Sequence, residues 1–404
     1  MGSQNPITVL IDEVNEASRF YSTSGVTPTC DETSRHSTGT PRHKLLAAAK
    51  ALVSALEDPE EEAYRFVLQP CAHACYIAAK KRGILDQWPK ATMSSKELAE
   101  LTKTDRKLVA RMMRSLTIYG ICNEVEEEIY EHTPLSLKLV TPPLSASALG
   151  WATQGVEGIR CLPGYLSKTS FQNPGDDPDA QTLFQFATNT DLEYFEWLHQ
   201  HPELHAAFNV RMANSMKTKG FSDTYPFGSL GEGLSSADDV VLVDVGGGYG
   251  HALANIQQYV PELKGKKMIL EDFAKTIESH VPLENTDAVP YNFLTTEQPI
   301  KGARAYLLRH VLHDWSDRVC RKILLHATTA MTKESRILIA EIILPDLNPP
   351  VLGALADIVM MKYGGSGRKR REWIAIFESA GLEVVKIWPP VTIDSIMELK
   401  LKSA

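Results

Sequence analysis

The residues best suited to chemistry lie in the half of the chain after about residue 235. The segment VVLVDVGGGYGHALANI reads as a buried strand ending at Asp244, a glycine loop, and a helix starting near His251. Gly246, Gly248 and Gly250 spell G-x-G-x-G, which lets backbone N–H groups approach a ligand at a helix N-terminus. A dinucleotide loop would want glycine or alanine where His251 stands, so an NAD reading loses its close-packing residue. A tight strand–helix turn with no ligand is the plainer alternative. Asp272 ends the next strand, 22 residues past Gly250, where an acidic side chain can hold a ribose diol. It could equally cap the helix AKTIESH. Its neighbour Glu271 points to the other side if the strand pattern holds, and Asn292, at the end of a third short strand, is placed to read a base edge.

Next comes RHVLHDWSD. Arg309 closes a fourth strand, and His313, Asp314 and Trp315 follow on the connection. A histidine is the natural proton acceptor for a hydroxyl group near neutral pH. A loop histidine satisfied by hydrogen bonds is the competing reading. Glu341 ends the fifth strand in ILIAEIILP and could hold the imidazole in one tautomer; otherwise it closes the strand or pairs with a cation. Ligands of open parallel sheets sit beyond the carboxyl ends of the strands. The glycine loop, Asp272, Asn292, His313 and Glu341 all fall at such ends, on strands one to five. That clustering argues for one cofactor site beside one reaction site.

The elements that must position these groups alternate in period. Apolar runs at 240–245, 267–272, 289–293, 303–309, 336–342, 382–387 and 395–401 alternate with amphipathic helices, as in a mainly parallel sheet covered on both faces. The loop WPPVTID is too short for a helical crossover, so one of the last two strands runs antiparallel. Before residue 235 the chain reads as mostly helical. Residues 22–43 are rich in Ser, Thr and Pro and read as a flexible linker. The stretch from Ser94 to Ser136 reads as helix, turn, helix and two short strands, the pattern of a winged helix. Its second helix, from Asp105, should bury Leu108, Val109, Met112, Met113 and Leu116. A loop is expected over Pro163–Asp179 and a long helical region from about Asp191 to Met216.

Composition excludes several classes. The chain has 404 residues, 43% of them hydrophobic and 23% charged, which suits two soluble domains. A net charge of −8 and an acidic wing (Glu124, Glu126, Glu127, Glu128) argue against nucleic acid as a partner. No apolar run approaches the roughly 18 residues that span a bilayer, so no membrane partner is expected. The six cysteines are scattered, with no second close pair beside Cys71 and Cys75, so no metal site is expected. They read as buried reduced thiols, and a cytoplasmic location fits best.

These motifs resemble the two-domain O-methyltransferases of plant and fungal secondary metabolism. The resemblance rests on VDVGGGYGHAL, the ED-x-x-x-x-I segment at 271–277, RHVLHDWSD, AEIILP and EWIAIFESAGLEVVKI, and covers nearly everything after about residue 60. It implies an α/β fold: a Rossmann-like S-adenosylmethionine-binding domain behind a mostly helical, winged-helix-like dimerisation domain. The implied segments are 1–45, an N-terminal helix and flexible segment; 46–185, the dimerisation domain; 186–220, an interdomain helical region including FNVRMANSM; and 221–404, the catalytic domain. It implies that Asp244, Gly246, Gly248, Gly250, Asp272, Asn292 and Phe293 hold the cofactor S-adenosyl-L-methionine, with Arg309 close by. His313 matches the general base, with Asp314 beside it and Glu341 as a flanking acid. Phe208, Met212 and Met360 match positions lining the substrate pocket.

The implied reaction is methyl transfer to a phenolic or enolic hydroxyl of a small secondary metabolite, in a homodimer joined through the N-terminal domain. One departure stands out. The family carries G-K-E-R-T before its penultimate helix, and in GGSGRKRREW the position of that glutamate is Gly367. Some fungal relatives bind the cofactor yet catalyse a pericyclic or dehydration step without methyl transfer, which is the alternative reading.

Overall fold

The computed structural model of the chain describes residues 5–23, 40–141, 156–177, 179–206, 208, 220–234, 236, 238–391 and 393–403. The chain divides into two compact units, Met1–Leu149 and Gly150–Ala404. Most of the expected linker, residue Met212 and most of FNVRMANSM lie outside the described residues.

The first unit opens with helices Pro6–Thr23, Pro41–Leu56 and Pro59–Arg82. Proline suits the first turn, where an N–H would lack a helical partner, and Thr40 and Asp58 cap the second and third helices. The first two helices bury no residue, and Phe66, Val67 and Leu68 of the third are exposed. Strand β1 (Thr92–Ser94), helices Ser95–Thr102 and Arg106–Thr117, and the hairpin of β2 (Cys122–Glu126) and β3 (Ile129–His132) follow, with an antiparallel sheet ordered β1–β3–β2. Val109, Met112, Met113 and Leu116 recur on one face of the Arg106–Thr117 helix and enter a core with Ile84, Leu98, Cys122 and Tyr130. Leu108, expected among them, is 47% exposed, because consecutive helical residues stand about 100° apart and it falls off that stripe. Arg106 pairs with Glu128 of the hairpin at 2.9 Å, so this basic side chain is used within the unit.

The second unit is built on a seven-stranded sheet. Its strands are β4 (Val240–Val245), β5 (Lys267–Asp272), β6 (Thr286–Pro290), β7 (Ala305–Arg309), β8 (Arg336–Glu341), β11 (Leu382–Trp388) and β12 (Ser395–Leu401), ordered β11–β12–β8–β7–β4–β5–β6. Strands β4 to β8 pair in parallel, while β12 runs antiparallel to both β8 and β11, which identifies the expected reversed strand. Chain order reverses direction at β4, and the crevice that such a switch opens is where open α/β sheets take ligands. Alternate residues feed two cores: Val243, Ile269, Leu308 and Ile339 meet Leu324, Trp373 and Phe377 on one face, and Leu242, Leu270, Leu307 and Leu338 meet Leu253 and Ile256 on the other. This is the expected Rossmann-like α/β architecture.

Several boundaries differ from the sequence reading. Strand β6 stops at Pro290, after which Asn292 Oδ1 accepts the Leu294 N–H at 3.0 Å and turns the chain, so Asn292 follows the strand instead of ending it. Leu162–Lys168, inside the expected loop, is helical, with Pro163 in its first turn. Among the described residues, the helical region expected from Asp191 holds helix Tyr194–His199 and a second helical stretch at 202–206, with Pro202 at the break. Cys71 is exposed, and only Cys122 and Cys320 among the described cysteines are fully buried. A two-residue parallel pair, β9 (Ile343–Leu344) with β10 (Arg368–Lys369), has no periodic signal and was not anticipated.

Candidate active site

The glycine loop leaves β4 at the switch point. Gly246 and Gly248 have φ of 70° and 62°, the left-handed region that side chains disfavour. A Cβ on Gly246 would stand 3.0 Å from Val311 and 3.2 Å from Phe293, whereas a Cβ on Gly248 would meet nothing within 4 Å. Open space therefore lies above Gly248. Its N–H donates to Asp272 Oδ2 at 2.9 Å, and the Phe273 N–H donates to Oδ1 at 2.7 Å, so Asp272 ties the loop to the end of β5. Gly250 is the N-cap of helix His251–Tyr259 and packs toward Leu270 and Leu283, away from that space.

Four carboxylates near the sheet edge have contrasting surroundings. Asp244 is 1% exposed and neither of its oxygens has a hydrogen-bond partner among the described residues. Burial pushes its carboxyl up to about 7, against the pull of Arg309. Glu271 is also buried and raised to about 7 by burial, with Gln298 Nε2 donating to it at 2.8 Å; it lies off the cavity, as the strand pattern predicts. Burial also raises Asp272 despite its two backbone donors. Asp394, before β12, shows the opposite balance. Burial alone would raise it, but His310 and Arg309 outweigh that and hold it well below the usual range. It accepts from Arg309 Nε and Nη2, each at 3.0 Å, and lies 2.7 Å from His310 Nε2.

His313 and Glu341 meet as expected. The imidazole Nδ1 is 2.7 Å from Glu341 Oε2, and the His313 backbone N–H donates to Oε1 at 3.3 Å. Nε2 is turned away from Glu341 and lies 3.6 Å from Asp314 Oδ1. Burial works to lower the His313 pKa, but Glu341, Asp314 and Asp394 overcome it and raise it to about 9. Glu341 is drawn below its usual range by that same imidazole, against burial.

The loop holding Gly367 is fixed to this turn. Ser366 N–H donates to the His313 carbonyl at 3.0 Å, and Gly367 N–H donates to Asp357 Oδ1 at 2.7 Å. Arg368, 2% exposed, donates to the carbonyls of Leu312 (3.1 Å) and Trp315 (2.6 Å) and to Asp317 Oδ1 (2.8 Å). It clamps the turn that carries His313. Nothing in the sequence RKRR sets it apart from its three basic neighbours; its buried partners do.

One cavity at this edge is lined by Asp244, Gly246, Gly248, Asp272, Phe293, Arg309, Asp314 and Phe208, all anticipated from sequence. Phe195, His199, His205, Tyr249 and His310 join them without any sequence expectation. Asn292 lines an adjoining cavity with Phe273, Asp314 and Trp315. Neither His313, whose side chain is 23% exposed and which sits between the lining residues Val311 and Asp314 in sequence, nor Met360, at the end of helix Val351–Met360, lines either cavity. An unpartnered buried carboxylate facing a cavity suits a positively charged ligand group, and the space over Gly248 leaves room for a ligand to approach the backbone. The residues thus fit a cationic adenosyl cofactor. Among the described residues no group of three His, Cys, Asp or Glu could hold a metal ion, and no helix is long and apolar enough to cross a membrane.

Comparison with known proteins agrees with this geometry. Residues 179–383 match the O-methyltransferase domain family. The chain is 31% identical over 372 residues to O-methyltransferase mfmE of Annulohypoxylon moriforme, covering 89% of this chain and 90% of that one. It superposes with TM-score 0.83 and 26% identity on OxaC in complex with SAH and oxaline, over 98% of this chain and 99% of that one. A structure described as a pericyclic reaction enzyme matches with TM-score 0.79 and 25% identity, over 98% of this chain and all of that one. With the glycine loop, the carboxylate at the end of β5 and the His–Glu pair in place, the chain belongs to the O-methyltransferase family, whose cofactor is S-adenosyl-L-methionine.

Proposed function

We propose that this protein transfers a methyl group from S-adenosyl-L-methionine to a phenolic or enolic hydroxyl of a small secondary metabolite, with His313 as the general base. The observation that carries this reading is the 2.7 Å His313–Glu341 pair at the carboxyl edge of the sheet, beside the cavity of Asp244 and Asp272. When bound, the cofactor supplies an electrophilic methyl group on a sulfonium sulfur. Asp244, Gly246, Gly248, Asp272, Asn292 and Phe293 hold it, with Arg309 near and Gly250 fixing the helix that follows. Glu341, being ionised, accepts from Nδ1 and leaves Nε2 to take the hydroxyl proton. A phenol with pKa near 10 is a poor nucleophile at neutral pH, so removing that proton as the oxygen attacks lowers the barrier. Asp314 and Glu341 stabilise the imidazolium that results. The base form of His313 grows as pH approaches 9, and positive charge brought among the neighbouring carboxylates lowers that requirement.

Phe208, Met212 and Met360 are assigned to the substrate pocket. Residues 46–185 are assigned to a winged-helix-like dimerisation domain, 1–45 and 186–220 to its flanking segments, and 221–404 to catalysis. The exposed Phe66, Val67 and Leu68 support a homodimer, since clustered apolar surface on a helix is usually covered by a partner. A cytoplasmic location is assigned with it.

The test is mass spectrometry of phenolic and enolic metabolites incubated with protein and cofactor. Gain of one methyl group with equimolar S-adenosylhomocysteine supports transfer. A second reading, a non-methylating pericyclic or dehydration step, is favoured by Gly367 at the position of the family's second acid and by the likeness to a pericyclic reaction enzyme. Substrate turnover with the cofactor left intact would establish it instead.

A further inference from the structure

His310 lines the cofactor cavity, yet the proton chemistry above does not use it. Its backbone has φ of 54°, a left-handed conformation that a non-glycine residue keeps only where its surroundings impose it. Two contacts do so: its N–H donates to the Ala340 carbonyl at 3.1 Å, and its Nε2 lies 2.7 Å from Asp394 Oδ1. Asp394 is itself buried and braced by Arg309, so the carboxylate is fixed before the imidazole meets it. An ionised carboxylate can only accept, so Nε2 carries the hydrogen and, in the neutral ring, Nδ1 holds a free lone pair. Nδ1 makes no hydrogen bond among the described residues. The ring centroid stands 5.2 Å from that of His313, with the planes tilted by 35°. Two imidazole–carboxylate pairs therefore stand side by side, His313 with Glu341 and His310 with Asp394.

We propose that His310 contacts the methyl acceptor directly, through a hydrogen bond that Nδ1 accepts from a second hydroxyl next to the one His313 deprotonates, with Asp394 as its positioning residue. The substrate class is then a small aromatic or enolic compound with two neighbouring oxygen functions, at least one beyond the methylated hydroxyl being a donor. The backbone contact to Ala340 and the Asp394 carboxylate hold the ring in one place before any ligand arrives, which suits a group that recognises a substrate oxygen. The assignment rests on the methyl-transfer reading.

The test uses full-length protein saturated with S-adenosylhomocysteine, with catechol and phenol as probes, read by calorimetry or ligand-observed NMR. Wild type should bind catechol about tenfold more tightly than phenol, the value of one well-made hydrogen bond. His310→Phe should bring the two affinities together, while His310→Gln, whose amide oxygen still accepts, should keep part of the preference. In Asp394→Asn the preference should fall, and the ¹⁵N shifts of His310 should change from a single tautomer to a mixture, a signature that a purely structural role would not move. An equal preference in wild type and His310→Phe, or no preference in wild type, overturns the proposal. Absence of S-adenosylhomocysteine binding by wild type would instead remove the functional reading, and this inference with it.

Discussion

Replacing Asp244 by asparagine should make the catalytic unit more stable and a poorer binder of its cofactor. Asp244 is 1% exposed, and neither oxygen has a hydrogen-bond partner among the described residues. Burial moves its carboxyl from 3.8 to about 7, which at about 1.36 kcal/mol per pH unit makes the ionised form cost about 4 kcal/mol. Asparagine has the same shape without the charge, but leaves a buried amide short of partners, at a cost of about 1–3 kcal/mol. The expected net gain is about 1–3 kcal/mol at pH 8. The sign follows from linkage. Below pH 3.8 the carboxyl is neutral in folded and unfolded chains alike, and stability is lost as pH climbs through about 7. The gap between Asp244→Asn and wild type should therefore be small at pH 5 and widen by pH 8. Urea denaturation across that range measures it, and calorimetry with S-adenosylmethionine should show affinity reduced at least about tenfold. A gap that stays constant with pH, or unaltered cofactor binding, would refute the reasoning.

Three further outcomes are expected. The rate should rise with pH toward about 9, where His313 loses its proton in the ligand-free protein, and His313→Ala should cost roughly 100-fold or more near that pH, with the gap narrowing as pH falls, as single-turnover kinetics can measure. Gly367→Glu should not restore a second acid at little cost: its Cβ would stand 3.1 Å from both Asp357 Cβ and Leu344 Cδ1, so thermal melting should show a loss of about 1–3 kcal/mol with no gain in rate. Arg368→Lys replaces a fork that grips three carbonyls and a carboxylate with a single ammonium, and should lower kcat more than cofactor affinity in steady-state and binding assays.

The parts of the site legible in the sequence were those written locally. The glycine loop, Asp272 and His313 each sit within a few residues of a strand whose apolar run marks its end. Glu341 was found because its strand was, and the sheet topology then brought it to His313. Asp394 and Arg368 stayed hidden because their meaning depends on partners far away in the chain. Asp394 meets His310 across 84 residues, and Arg368 reaches Leu312 across 56. Neither a loop aspartate nor an arginine among basic neighbours announces such a contact. Gly367 shows the same limit from the other side. Its spacing revealed the missing acid, but not that Asp357 already occupies the space beside it.

The position of β12 sets an order of assembly on the ribosome. Strand β11 is made first, yet its partner in the sheet is β12, which inserts between β11 and β8. Until β12 emerges from the exit tunnel, β8 presents an open edge and β11 has nothing to pair with, a state prone to wrong contacts and chaperone capture. Asp394 stands at the head of that same strand and holds both Arg309 and His310. A nascent chain thus acquires the wall of its cavity in the same step that closes its sheet, and a product of premature termination or late frameshift loses both together.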